Sequence, residues 1–166
     1  MNKGILYISC GIPGSGKSTF LKKYAKKDES VISRDEIRFA LLKEGEEYFS
    51  HEDDVFKHFV NIIAEHINSG LNVYADATHL NQASRYKLLY ALKNTGCHPS
   101  DIQIIFFDIP LDVCLERNEK RKDTKAYVPR GVIRRMFYQL EYPVDFSTIW
   151  IVDKYGNISK SEGVNL

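Results

Sequence analysis

Apolar positions fall in short runs and in helical stripes that alternate along the chain. Ile5-Leu6-Tyr7-Ile8-Ser9-Cys10 is a mainly apolar run that stops at Gly11, which predicts a buried strand. A helix is expected to follow over about residues 17–27. Ser30-Val31-Ile32-Ser33 predicts a second strand. Ile37, Phe39, Leu41 and Leu42 then supply the apolar positions of a helix that starts near Asp35. Val55, Phe56, Phe59, Ile62, Ile63 and Ile67 recur at helical spacing until Ser69-Gly70 closes the segment. Strands are expected at residues 71–75, 102–107 and 148–152, with helices over about 81–94, 111–122 and 129–140. Five strands alternating with helices of crossover length predict an α/β fold: a parallel sheet with helices on both faces. In such a sheet functional residues gather at the carboxyl ends of the strands.

Composition narrows this picture. A chain of 166 residues suits one domain, residues 1–166. Lys and Arg number 23 against 22 Asp and Glu, a net charge of +1, which disfavours a long nucleic-acid-coating surface. No apolar run approaches the roughly 20 residues that span a bilayer, and the first residues lack a signal-peptide pattern. Cys10, Cys97 and Cys114 are odd in number and far apart, so neither a disulfide framework nor a zinc site is expected, and a reducing cytoplasm fits best. The five histidines lack metal spacing and are expected at or near the surface. Most of the ten tyrosines are expected in the core. Residues 44–54 hold six acidic side chains, which suggests an exposed turn or a helix start.

The strongest chemical signal is Gly11-Ile12-Pro13-Gly14-Ser15-Gly16-Lys17-Ser18. It matches G-x-x-x-x-G-K-[ST] between an expected strand and an expected helix, the context a P-loop requires. The fold is therefore expected to be a P-loop NTPase three-layer sandwich with a sheet of about five strands and a helical lid. Glycines let backbone N–H groups turn inward around phosphate oxygens, and the helix N-terminus adds partial positive charge. Gly11, Pro13, Gly14, Ser15, Gly16, Lys17, Ser18 and Thr19 are the expected ATP-binding residues, with Lys17 on the β- and γ-phosphates and Ser18 on Mg²⁺.

Other strand ends supply the rest. Asp35 is positioned to accept a proton from an attacking hydroxyl, and Arg38, one helical turn on, to hold an anionic group of the acceptor. A plainer role for Asp35 is to cap its own helix. Asp76 ends the third strand, where an outer-shell Mg²⁺ partner or an acceptor contact is expected. Thr78 and Asn81 are candidates for acceptor binding or for capping. From Cys114 to Arg135 there are eight basic and three acidic residues, a candidate lid over about residues 114–135. Arg117 and Arg121 share a helical face there, and one of them is a candidate arginine finger.

GIPGSGKST, SRDEIR, DATHLN with Arg85 after it, FDIP, CLERNEKR and VPRGVIRRM, in this order, resemble the P-loop kinase module of polynucleotide 5′-hydroxyl kinases. The resemblance runs from about Ile5 to Tyr142. It implies transfer of the ATP γ-phosphate to a 5′-hydroxyl end, with Lys17 and Ser18 holding ATP and Mg²⁺ and Asp35 as general base. It further implies Arg38 on the acceptor phosphate, Arg85 on the acceptor side, and Arg121, with Arg117 beside it, on the donor phosphates. His79 stands where relatives often have Asn. No D-x-D-x-T phosphatase motif occurs in the chain, so no fused 3′-phosphatase is expected. Two other readings stay open: a small-molecule, nucleoside or modified-base kinase on the same scaffold, and a nucleotide-binding switch. The sequence names no protein partner and gives no sign of a membrane.

Overall fold

The computed structural model describes residues 2–162. Its elements follow in the order β1 (Leu6–Cys10), α1 (Lys17–Tyr24), β2 (Ser30–Ser33), α2 (Arg34–Leu41), α3 (Glu52–Asn68) and β3 (Val73–Asp76). They continue with α4 (Gln82–Asn94), β4 (Ile102–Phe107), α5 (Leu111–Glu119), α6 (Arg130–Gln139), β5 (Thr148–Val152) and β6 (Ile158–Glu162). The sheet runs in the order β2-β3-β1-β4-β5-β6. The first five are parallel, and β6 adds an antiparallel edge beside β5. The α/β P-loop expectation holds, with a sixth strand that the sequence pattern does not announce.

Alternation along the strands builds two cores. Leu6, Ile8 and Cys10 of β1 and Ile104 and Phe106 of β4 face α3 and α4, where Phe59, Ile63, Ile67, Leu88 and Leu92 cover them. Ile105 and Phe107 point to the opposite face, against Leu21, Cys114, Leu115 and Ile133 of α1, α5 and α6. A strand buried on both faces reads as continuous hydrophobicity, which is the pattern of Ile104 to Phe107. Each fully buried side chain of this kind contributes about 1.5–3 kcal/mol.

The helix α1 is shorter than the sequence suggests. The Ala25 N–H still donates to Leu21, but Ala25 is extended, and the Glu29 carboxylate accepts from the Lys26 N–H to start a turn. Tyrosine burial also departs from expectation. Tyr74 is buried, whereas Tyr24, Tyr48, Tyr86, Tyr90, Tyr138, Tyr142 and Tyr155 are exposed. Their rings lie on outer helix faces and turns, and the Tyr48 and Tyr86 hydroxyls reach the carboxylates of Asp35 and Asp145. All three cysteines are free and buried, and burial pushes the Cys10 and Cys114 thiols up to about 11. No helix among the described residues is long and apolar enough to cross a membrane.

Candidate active site

The carboxyl ends of β1, β2 and β3 meet at one cleft of about 240 Å³. It is lined by Gly14, Gly16, Lys17, Ser18, Asp35 and Arg121, among others. Gly14 and Gly16 sit at φ +85° and +82°, left-handed geometry that favours glycine. A Cβ at Gly14 would lie 2.4 Å from the Cys114 carbonyl, so only glycine fits there. The first N–H groups of α1 have no intrahelical acceptor and face the cleft as a phosphate nest. Gly11 and Pro13 form the near side of the loop, and Thr19 stands exposed in the first turn of α1. Ser15 is buried, and its Oγ has no protein partner.

Ser18 Oγ donates to Asp76 Oδ2 at 2.7 Å. Asp76 is 3% exposed; burial pushes its carboxyl up, and Lys17 and the Ser18 hydroxyl pull it back. A hydroxyl oxygen and a carboxylate oxygen beside a phosphate nest suit a hard cation that keeps most of its ligands as water and phosphate. Ser18, with Asp76 behind it, would hold Mg²⁺, which when bound neutralises charge on the phosphate oxygens.

Asp35 lies in the first turn of α2, but it is not the cap. Ser33 is, its Oγ accepting from the Glu36 N–H. That leaves the Asp35 carboxylate free for the cleft. Its Oδ1 accepts from Arg38 Nη1 and, at 2.9 Å, from the Tyr48 hydroxyl. Among the described residues Oδ2 takes no protein hydrogen bond. Burial, with Asp35 next, pushes the Tyr48 hydroxyl up, so it stays a donor at neutral pH. Arg38 is only 6% exposed. Its Nε and Nη2 grip both oxygens of Glu52 at 2.5 and 3.1 Å, and the Tyr48 ring covers it at 4.4 Å. Burial opposes the Glu52 charge, but Arg38 and Arg34 outweigh it and hold the carboxyl below its usual range. Tyr48 and Glu52 were not legible as site residues; the acidic run around them was the signal.

Three expected contacts are placed differently. Arg85 is 2% exposed and does not reach the cleft. It donates to the carbonyls of His79 (3.1 Å), Leu80 (3.1 Å) and Glu141, tying the β3–α4 loop to the segment after α6. An acceptor contact there is not what the geometry provides. Arg117 donates to the carbonyls of Ser15 and Lys154, both at 3.0 Å, and so braces the P-loop from behind. Arg121 lines the cleft, so of the two arginines it is the one on the side where phosphates would sit. The Thr78 carbonyl accepts from the Gly11 N–H at 3.0 Å, which fastens the P-loop through main chain. Asn81 caps α4 in a capping box with Ser84. Near the end of α5, Asn118 is fully buried and clamps Val128 through both its amide atoms, at 2.7 and 3.0 Å. The cinched loop 120–128 carries Arg121 and Ala126 to the cleft.

Arg85→Met should lower stability by about 3 kcal/mol or more, because buried carbonyls lose charged donors at about 1–3 kcal/mol each. The midpoint of urea unfolding reads this. An unchanged midpoint with a raised acceptor KM would restore the acceptor contact.

His79 is the other departure. It is 5% exposed rather than superficial, and at φ 40° it is the one non-glycine residue with positive φ among those described. Asn and His both tolerate this geometry better than most residues. Its Nδ1–H donates to the Ser9 carbonyl at 2.8 Å, at the end of β1. Burial above all lowers its pKa to about 4. The unfolded chain, near 6.5, therefore takes up a proton first as pH falls. Stability should be full above about pH 6.5 and fall as pH drops toward 4, by at most about 3 kcal/mol. Urea midpoints between pH 7 and pH 4.5 should fall less in His79→Asn than in the wild type.

The sequence matches the AAA domain family over residues 6–143. The chain belongs to that family. This AAA domain has a P-loop NTPase-like α/β fold, and its structural neighbours include kinases. An L-seryl-tRNA(Sec) kinase of Methanococcus maripaludis is 29% identical over 147 residues, covering 84% of this chain and 53% of the relative. A chain of the Pnkp1/Rnl/Hen1 RNA repair complex superposes with a TM-score of 0.71 at 24% identity, over 84% of this chain and 45% of that one. A gluconokinase from Sinorhizobium meliloti 1021 superposes with a TM-score of 0.61 at 21% identity, over 92% and 84% of the two chains. The chain thus spans about half the length of the Methanococcus maripaludis relative.

Proposed function

We propose that the protein is an ATP-dependent kinase that moves the γ-phosphoryl group to a hydroxyl carried on a nucleic acid, a 5′-hydroxyl end in the first instance. The observation that carries the reading is the Asp35 carboxylate, with Oδ1 fixed by Arg38 and Tyr48 and Oδ2 free on the Lys17 cleft. In this reading the free Oδ2 takes the proton of the attacking hydroxyl. Lys17 and the nest of N–H groups meet the charge on the phosphoryl oxygens, and Arg121 adds a further cation from the lid. The named activity of the Methanococcus maripaludis relative, on a hydroxyl attached to a tRNA, supports the nucleic-acid branch.

A second reading, a small-molecule alcohol kinase, is favoured by one observation. The donors of Arg38 that would grip an acceptor phosphate are held by Glu52, Asp35 and Tyr48. A panel assay with γ-labelled ATP and Mg²⁺ separates the two. The panel holds 5′-hydroxyl RNA and DNA oligonucleotides, seryl-tRNA, a nucleoside and gluconate. Label on the nucleic acids alone is expected. Label on gluconate or the nucleoside alone would move the assignment to the second reading.

A further inference from the structure

The net charge of +1 hides a division. Cys114 to Arg135 holds eight basic and three acidic residues, which leaves 15 basic against 19 acidic in the rest of the chain. The two signs reach the cleft from different elements. Asp35, Glu36 and Phe39 line it from α2, and Arg121 and Ala126 line it from loop 120–128. Beyond α2, the exposed Glu44, Glu47, Asp53 and Asp54 have no cation partner among the described residues. Beyond loop 120–128 stands α6, which is amphipathic. Ile133 is fully buried, with Met136 and Phe137 packed beside it. Arg134, Arg135 and Tyr138 therefore face outward, and the Tyr138 side is 81% exposed. Arg130 lies 3.5 Å from Glu119, but among the described residues no carboxylate pairs with Arg134, Arg135, Lys122 or Lys125.

We infer that the outer face of α6, built from Arg134, Arg135 and Tyr138, carries the body of a single-stranded nucleic acid whose end enters the cleft. The inference rests on the nucleic-acid reading above and adds where the rest of the acceptor lies. Charge sets the direction. A polyanion leaving the cleft past α2 meets unanswered carboxylates, whereas one leaving over loop 120–128 meets Lys122, Lys125 and then the two arginines. The near-neutral total is no obstacle, because salt at 0.1 M confines each exposed charge to a reach of about 10 Å. The make-up of the face also selects its partner. Unpaired arginines suit phosphates, and an exposed aromatic ring beside them offers a base a surface to stack on. An acidic polypeptide would use the charges and leave the ring idle.

The test is binding to the full chain of a 5′-hydroxyl RNA 20-mer, read by fluorescence anisotropy over a range of salt, and of a 5′-hydroxyl dinucleotide, read by calorimetry. The dinucleotide fills the cleft and is too short to reach along α6. The double variant Arg134→Gln/Arg135→Gln changes only exposed side chains. It should bind the 20-mer about twentyfold more weakly at 0.1 M salt, with the log–log salt dependence shallower by about 1.4, the value for two lost phosphate contacts on a single strand. Its dinucleotide affinity should match the wild type. Tyr138→Ala should weaken the 20-mer about fivefold or more with the salt dependence unchanged, and Tyr138→Phe, which keeps a stacking ring, should restore it. Unchanged 20-mer affinity in the double variant overturns the inference, as does an equal loss for the dinucleotide. Competition by poly-glutamate as strong as by unlabelled RNA, with Tyr138→Ala silent, overturns it in favour of an acidic polypeptide. The two readings can fail separately. Binding of the 20-mer through α6 without any phosphoryl transfer refutes the kinase and keeps the surface. Transfer to the 20-mer that the double variant performs with an unchanged KM keeps the kinase and removes α6 from the acceptor's path.

Discussion

Asp35→Asn should lower turnover by about 10²- to 10⁴-fold while leaving ATP affinity close to the wild type. Asn is the informative replacement. Its amide oxygen can still accept from Arg38 and the Tyr48 hydroxyl, as Oδ1 of Asp35 does now. The change therefore falls on the other atom. Oδ2, which takes no hydrogen bond from the described residues, becomes an NH₂ group that cannot receive a proton. Nothing at the P-loop is altered, since α2 is capped by Ser33 and not by Asp35. Single-turnover rates with saturating ATP, set beside calorimetric ATP affinity, separate the two effects. Near-wild-type turnover would remove Asp35 from the role of base. A joint loss of turnover and ATP binding would mean that Asp35 supports the nucleotide cleft instead.

Lys17→Ala should cut transfer by about 10³-fold or more and weaken ATP binding as well. Lys17 is the one lysine lining the cleft, together with Ser18, Asp35 and Arg121. Its loss removes the charge that meets the transferring phosphoryl group. It has a second consequence at Asp76. Burial already raises that carboxyl, and Lys17 is the largest influence opposing the rise. Without it Asp76 should hold its proton to higher pH, and its contact with the Ser18 hydroxyl should weaken. The residual activity of Lys17→Ala should therefore decline at a higher pH than wild-type activity does as the medium is acidified. A pH profile parallel to the wild type would separate Lys17 from Asp76. Retained transfer would remove Lys17 from the donor site.

Parts of the site are legible in the sequence because each is tied to a strand end by chain spacing. Gly11 follows β1, Asp35 follows β2, and Asp76 closes β3 in register with Ser33. The two-sided burial of β4 and the stripe of α3 are equally readable, since period alone sets them. What stays hidden depends on contacts between distant segments. Arg85 sits at an ordinary helical position, and only the convergence of loop 79–80 with Glu141 buries it. Arg117 and Arg121 are one turn apart and look alike in sequence; the Ser15 and Lys154 carbonyls capture the first and leave the second on the cleft. The left-handed turn at His79 follows from the welding of loop 77–80 to β1, with no local turn signal. The strand β6 is polar, Ile158-Ser159-Lys160-Ser161-Glu162, and main-chain pairing with β5 defines it. Its clue was the Tyr155-Gly156-Asn157 turn, with Gly156 at φ 81° and the Asp153 carboxylate accepting from Tyr155 and Asn157.

Committed phosphoryl transfer to a hydroxyl on a nucleic acid is open to a direct test. The most direct measurement follows γ-labelled ATP and Mg²⁺ with the full chain, with and without a 5′-hydroxyl oligonucleotide, counting label on the oligonucleotide against ADP formed. One label should be transferred per ADP, with little ADP formed when the acceptor is left out. ADP formed at the same rate without acceptor, with no label on the oligonucleotide, would contradict it and make the protein a nucleotide-hydrolysing switch.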